Sequence, residues 1–169
     1  MFITIILLFL STEFSDCKLA LKSGVAAARI IPSGTPKTRD SQLKVAFDGD
    51  AVIFSEESQE IYDSFGLAAF DKNEKSLANK PLSGGPFKPF LSELHRLQTL
   101  FPQSECPIRI ALVTARSAPS HERVIRTLRD WEIRVDESLF LGGLQKADFL
   151  KVYQADIFFD DQEENCDSA

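Results

Sequence analysis

The stretch LKVAFDGDAV, residues 43–52, joins a short apolar segment to two aspartates that flank one glycine. Leu43 to Phe47 has the length and composition of a buried strand. Asp48 and Asp50 follow where that strand must end, and Gly49 lets the backbone turn tightly between them. The stretch therefore predicts a strand that carries two carboxylates to one edge of a sheet.

The rest of the chain alternates strand-like and helix-like segments around this stretch. IRIALV at 108–113 and DIFF at 156–159 are typical of buried strands, and Phe140 and Leu141 form a shorter one. The helices expected from apolar periodicity and capping residues span 15–28, 55–65 (capped by Ser55), 87–100, 120–130 and 147–153. Strands that alternate with helices predict an α/β fold with a mostly parallel sheet flanked by helices.

Polar residues collect where the predicted strands end. They are Asp48, Asp50, Thr114, Asp160 and Asp161, with Lys146 on the loop before a helix. Any one of them could be only a turn residue that ends a strand. In open parallel sheets, however, ligands bind beyond the carboxyl ends of the strands. Together these residues therefore favour a ligand site at that edge.

Length, charge and cysteine usage restrict the class of protein. A chain of 169 residues can form one domain with a real core. The net charge of −6, without a basic stripe, argues against a nucleic-acid partner. The three cysteines show no CxxC spacing, so a zinc site and a disulfide framework are both disfavoured, and a cytoplasmic setting is the default. The sequence is compatible with an oligomer.

The apolar run MFITIILLFL at 1–10 has two interpretations. It is too short to cross a membrane as a helix, so no membrane partner is expected. Its length suits a secretory signal, but no Lys or Arg precedes it and no convincing cleavage site follows. Its Ile, Leu and Phe content favours a buried strand.

The residues at the predicted sheet edge suit the hydrolysis of a phosphate monoester through an aspartyl-phosphate. Asp48 would attack phosphorus, and Asp50 would protonate the leaving oxygen and then activate water. Thr114, with the amides of Ala115 and Arg116, would bind the phosphate, and Lys146 would offset its charge. The metal ligands expected for Mg²⁺ are Asp48, Asp50, Asp160 and Asp161.

The order of these motifs resembles the haloacid dehalogenase-like phosphatase superfamily. The matching pieces are VAFDGDAV at 45–52, ALVTARSA at 111–118, Lys146 after LGGLQ, and IFFDDQ at 157–162. A narrower resemblance, from about residue 43 onward, is to the cytosolic 5′-nucleotidase I family, through AFDGDAVIFSEES, PLSGGPFKPFL, ECPIRIALVTARSAPSHERVIRTLR and DESLFLGGLQK. It implies a Rossmann-like sheet with a small cap, hydrolysis of nucleoside 5′-monophosphates such as AMP, and metal ligation by the Asp50 carbonyl, with Asp161 the more direct ligand of the Asp160–Asp161 pair.

The resemblance also places a cap insert at about 53–86. Phe54 and Ser55 within it, and His121 after the Thr114 loop, are candidate substrate contacts. Tyr62 and Phe65 are further candidates, although packing within the helix is the favoured interpretation of both. Two other functions stay open: a phosphatase for another small phosphomonoester, and an inactive fragment or pseudoenzyme.

An internal match suggests how the chain is organised. LFLSTEFSDCKLA at 8–20 aligns without a gap on IFFDDQEENCDSA at 157–169, with Ser11-Thr12 in place of Asp160-Asp161. We therefore expect residues 1–31 to be the tail of a degenerate repeat, 32–42 a linker, and 43–169 a catalytic core. On this interpretation the chain starts inside the repeat, and the core is incomplete at its C-terminus.

Overall fold

The computed structural model describes residues 6–32 and 41–169, which form six strands and six α-helices. In chain order the elements are β1 (Phe9–Ser11), α1 (Phe14–Lys22), β2 (Ala27–Arg29), β3 (Leu43–Phe47), α2 (Glu57–Ser76), α3 (Lys88–Gln98), β4 (Ile108–Thr114), α4 (His121–Asp130), β5 (Glu137–Phe140), α5 (Lys146–Tyr153), β6 (Ile157–Phe159) and α6 (Glu163–Ser168). Residues 1–5 of the apolar run and 33–40 of the expected linker lie outside the described part.

The main sheet has four parallel strands in the order β5-β4-β3-β6. The predicted α/β fold with a parallel sheet is confirmed. Strand β3 has the predicted bounds and lies between β4 and β6, with Phe47 opposite Leu112 on one side and Phe159 on the other. The carboxyl ends of these three strands therefore meet at one edge of the sheet.

Both faces of the sheet are buried, as expected for parallel strands connected by helices. On one face, Phe47 stacks on Phe159 with 5.2 Å between ring centroids, and Phe87 and Phe90 at the start of α3 contact the same rings. Leu150 of α5 packs on the small residues of the other face. This packing holds the strand ends in place, so the polar residues beyond them have defined positions.

The segment between β3 and α3 leaves and re-enters the core at adjacent points. The amide of Gly85 donates to the carbonyl of Ile53 at 2.8 Å, and the amide of Ser55 donates to the carbonyl of Ser83 at 2.9 Å. Between these points runs α2, which bends at Gly66, where φ is 77°. Ser55 does not cap this helix as predicted, because α2 begins at Glu57 and Glu56 occupies the capping position.

The N-terminal segment forms a small unit of its own. Strands β1 and β2 pair in parallel, and α1 connects them. The prediction of one helix over 15–28 is wrong after Lys22, since Gly24 takes φ of 79° and the chain then continues as β2. Ala26 belongs to the core cluster that contains Phe47, so the unit packs against the main domain.

The two segments of the internal match have the same local structure. Helix α1 begins at Phe14 and α6 at Glu163, which are aligned positions. The hydroxyl of Ser11 accepts the amide of Glu13 at 3.0 Å, and the carboxylate of Asp160 accepts the amide of Gln162 at 2.9 Å. The proposed repeat and the domain bounds remain predictions. Within residues 6–32 and 41–169, no helix is both long enough and apolar enough to span a bilayer.

Candidate active site

Three neighbouring strands carry the candidate residues to one place. Asp48 follows β3, Thr114 is the last residue of β4, and Asp160 follows β6. The loop after β3 closely approaches the end of β4, since a Cβ at position 49 would lie 3.3 Å from the Thr114 hydroxyl. Glycine at this position therefore lets the loop after β3 pass beside Thr114.

A buried lysine lies between two of the carboxylates. Lys146 is the first residue of α5, and its Nζ lies 2.8 Å from Oδ1 of Asp48 and 2.6 Å from Oδ2 of Asp160. Both Asp48 and Lys146 are 6% exposed. The other oxygen of Asp160 accepts the amide of Gln162 and the side-chain amide of Asn165. The lysine therefore holds the two acidic loops together.

Burial governs the electrostatics of this group. It raises the pKa of Asp48 to about 7, because desolvation outweighs the attraction of Lys146, and the nearby charge of Asp160 acts in the same direction as burial. Burial pulls the pKa of Lys146 down, but the attraction of Asp48 and Asp160 outweighs it and the pKa is raised. Three carboxyl groups, of Asp48, Asp160 and Asp161, face the single ammonium of Lys146, so ionised carboxylates at this edge carry more negative charge than the lysine balances.

Three of the acidic residues lie close enough together to hold a cation. Oxygens of Asp48, Asp160 and Asp161 lie within 4.8 Å of one another. Asp161 is exposed on one side but partly desolvated on the other, and this partial burial, together with the charge of Asp160, raises its pKa. A set of carboxylate oxygens with unbalanced negative charge fits a hard divalent cation such as Mg²⁺. The fourth expected ligand, Asp50, is not in this group, since its carboxylate is bound by Arg116. Ligation by Asp50 through its carbonyl stays a prediction.

The loop after β4 is braced from behind by the loop after β5. The amide of Gly143 donates to the carbonyl of Ala115 at 3.1 Å, and the amide of Gly142 donates to the carbonyl of Arg116 at 3.3 Å. The Thr114 hydroxyl accepts the amide of Arg116 at 3.3 Å. These contacts hold the residues expected to bind phosphate in one conformation beside Asp48.

The side chain of Arg116 has a role that sequence reasoning missed. Only its amide was expected to act, but its guanidinium binds Asp50 and also pairs with Glu74 of α2. Glu74 in turn pairs with Arg123 of α4. Glu74 belongs to no motif, Arg123 lies in the stretch 105–129 but was given no role there, and both are far from Asp50 in the sequence. The sequence offered one signal for these ion pairs: charged residues at positions of the predicted helices.

The three candidate substrate contacts, Phe54, Ser55 and His121, differ in whether their side chains are already engaged by other residues. Phe54 is fully buried and packs on Trp131, so a contact with substrate stays a prediction that the burial does not favour. The Ser55 hydroxyl and His121 Nδ1 are buried and have no hydrogen-bond partner among the described residues. His121 also packs edge-to-face on Phe140.

The two aromatic residues of the first half of α2 are on its surface. Tyr62 is 46% exposed and meets Phe70 at right angles, whereas Phe65 is 75% exposed. The favoured interpretation of Phe65 as a packing residue is therefore wrong. A contact of either ring with the nucleoside remains a prediction.

The parallel sheet and the Asp48-Gly49-Asp50 turn at the end of its central strand define an α/β protein of the haloacid dehalogenase-like class. A family model described as 5′-nucleotidase matches residues 4–169, and the chain belongs to this family.

A curated relative agrees with this assignment. The chain is 42% identical over 160 residues to human cytosolic 5′-nucleotidase 1B. The match covers 91% of this chain but 26% of that protein, so the chain spans about a quarter of the relative's length. No solved structure gives a significant match.

Proposed function

We propose that this chain carries the catalytic centre of a 5′-nucleotidase, which hydrolyses nucleoside 5′-monophosphates to nucleoside and phosphate. The observation that carries the proposal is the arrangement of Asp48 beside Lys146, 2.8 Å away, and beside Asp160 and Asp161 at the edge of the sheet. A nucleophile, a fixed cation and a group of metal-ligating oxygens are the parts that phosphoryl transfer needs. Membership of the 5′-nucleotidase family supports nucleoside 5′-monophosphates as the class of substrate.

Each residue has a defined role in this proposal. Asp48 attacks phosphorus, and Asp50 donates a proton to the departing 5′ oxygen and later takes one from the attacking water. The Thr114 hydroxyl and the loop amides at Ala115 and Arg116 hold the phosphoryl oxygens, and Lys146 balances their charge. The carboxylates of Asp48, Asp160 and Asp161 and the carbonyl of Asp50 would hold Mg²⁺, which would reduce the repulsion between the phosphate and the carboxylates.

The finer assignments rest on the family and on its relative. AMP is proposed as a substrate because the sequence resembles the cytosolic 5′-nucleotidase I family. The name of the human relative contains the word cytosolic, and we propose the same compartment for this protein. Phe54, Ser55 and His121 remain candidate nucleoside contacts, of which the unpartnered Ser55 hydroxyl and His121 Nδ1 are the better placed.

The test is a substrate panel on the purified chain with Mg²⁺. AMP, the other ribonucleoside 5′-monophosphates, a sugar phosphate and phosphoserine are compared by kcat/KM. We expect AMP to be among the best substrates, and we expect acid-quenched protein to carry a phosphate that hydroxylamine releases, as an acyl-phosphate does. Preference for the sugar phosphate would favour a different phosphatase, and no turnover of any substrate would contradict the proposal for this chain.

A further inference from the structure

A buried chain of ion pairs leads from Asp50 to two helices. Nε of Arg116 donates to Oδ2 of Asp50 at 2.8 Å, and Nη2 donates to Oδ1 at 2.6 Å. The remaining terminal nitrogen of Arg116 pairs with Glu74 of α2. The side chain of Arg116 is 2% exposed, so both faces of its guanidinium are covered. The side chain of Arg116 is therefore committed to protein carboxylates, and only its backbone amide is left to bind a phosphate.

The far end of the chain is equally enclosed. Glu74 is 1% exposed and accepts from Nη1 of Arg123 at 2.9 Å and from the Ser58 hydroxyl at 2.9 Å. Burial acts to raise the pKa of Glu74, but its contacts with Arg116 and Arg123 outweigh it and the pKa is lowered. Arg123 also binds Glu57, the first residue of α2, at 2.9 Å. The beginning and the end of α2 are thus both connected to α4 by charge.

Such an arrangement restricts the orientation of Asp50. A guanidinium that donates in parallel to both oxygens of a carboxylate fixes its plane as well as its position. Each carboxylate oxygen has a second lone pair, so the side of Asp50 that Arg116 does not occupy stays open to the leaving oxygen and to water.

We propose that Arg116 is a positioning residue that orients Asp50 for proton transfer, and that Glu74 and Arg123 hold Arg116 from α2 and α4. This inference rests on the proposed function. In the first step the bond from Asp48 to phosphorus forms, the bond to the 5′ oxygen breaks, and the proton of Asp50 passes to that oxygen. In the second step water attacks the aspartyl-phosphate, its proton passes to Asp50, and Asp48 leaves as a carboxylate.

The test uses the dependence on the leaving group. Adenosine 5′-monophosphate needs a proton on its departing oxygen, whereas the analogue with sulfur in the bridging position loses a thiolate that needs none. In Arg116→Lys we expect kcat/KM for AMP to fall about 100-fold, with a loss of less than about 10-fold for the thio analogue. The ratio kcat/KM reports only on steps up to the first irreversible one, here the release of the nucleoside, so it isolates the first chemical step.

Two further variants keep the test independent of folding. The double variant Arg116→Met with Glu74→Gln leaves fewer unpaired charges, and we expect the same difference between the two substrates. Arg126→Lys is the matched control, since Arg126 lies on the exposed side of α4 and pairs with Glu122. We expect it to leave both rates unchanged.

The outcomes separate this role from a structural one. Equal losses on both substrates in the Arg116 variants would overturn the proposal, because a merely destabilised protein loses activity on both alike. Wild-type protein that hydrolyses AMP but not the thio analogue would also overturn it. Absence of AMP hydrolysis by the wild type would instead contradict the proposed function, and the positioning role with it.

Discussion

The ammonium of Lys146 lies 2.8 Å from Oδ1 of Asp48, and each of these residues is only 6% exposed. The lysine also binds Asp160, so one cation serves two carboxylates. A third, Asp161, lies within reach of the same group. The stability of this edge therefore depends on charge balance as well as on packing, and substitutions can test the two separately.

Asp48→Asn should abolish turnover of AMP and leave the fold intact. The amide has nearly the shape of the carboxylate but cannot attack phosphorus, so we expect a loss on the order of 10⁴-fold or more in kcat. Steady-state kinetics and circular dichroism check the two parts. Asp130→Asn makes the same change at an exposed position and should keep the wild-type rate. Comparable rates in both variants would exclude Asp48 as the nucleophile.

The metal-free protein should lose stability as the pH rises through the range in which Asp48 ionises. The pKa of this carboxyl rises from 3.8 to about 7 in the folded chain, so the folded state binds the proton more tightly. Its contribution to stability is complete below about pH 4 and is lost by about pH 7. Urea unfolding in EDTA should show Asp48→Asn gaining a few kcal/mol on the wild type over this range. A difference that does not vary with pH would contradict the shift.

Lys146→Met should destabilise the protein, most of all when the carboxylates are ionised. Removing the one cation leaves Asp48 and Asp160 buried together, at a cost of about 3 kcal/mol or more at pH 8. Added Mg²⁺ should recover more stability in this variant than in the wild type, because the cation replaces part of the missing charge. Urea unfolding with and without Mg²⁺ measures both effects. Lys151→Met, exposed on the same helix, is the control, and equal losses in the two variants would refute the argument.

Asp161→Asn should weaken Mg²⁺ binding with little effect on the fold. Asp161 is exposed, so its charge is dispensable for packing, but its oxygen belongs to the metal-ligating group. We expect the Mg²⁺ concentration for half-maximal activity to rise about tenfold or more, which corresponds to about 1.4 kcal/mol. Asp167→Asn, also exposed, should leave it unchanged. The same Mg²⁺ dependence in both variants would remove Asp161 from the site.

Gly85→Ala should destabilise the point where the α2 segment rejoins the core, whereas Gly84→Ala should be tolerated. A Cβ at position 85 would lie 2.3 Å from the carbonyl oxygen of Phe54, which is backbone and cannot move alone. At position 84 it would meet the flexible side chain of Lys88. We expect a loss of about 3 kcal/mol for the first variant and less than about 1 kcal/mol for the second. Equal melting temperatures for the two variants would contradict the clash.

Much of the fold was predictable because it depends on local patterns. The five residues before Asp48, four of them apolar, form β3 with the predicted bounds. The predicted end of β4 was wrong by one residue, since the strand continues to Thr114. The errors lie where a local pattern competes with a distant partner. Residues 27 and 28 were predicted to be the end of a helix, but they lie in β2 and pair with β1 instead, because Gly24 ends the helix and β1 supplies their hydrogen bonds.

The sequence by itself determined the residue types and their order along the chain: a carboxylate pair after one strand, a hydroxyl after the next, then a lysine and a second acidic pair. The parallel sheet follows from the alternation of strands and helices along the chain, and such a sheet brings the carboxyl ends of its strands together. Only the tertiary structure decided that the side chain of Arg116 binds Asp50, and that Glu74, which is itself paired with Arg123, holds the guanidinium from the other side. The physical reason is that a buried charge needs a partner of opposite charge. Which partner is nearest depends on how α2 and α4 pack on the sheet, and the spacing of residues along the chain does not predict that packing.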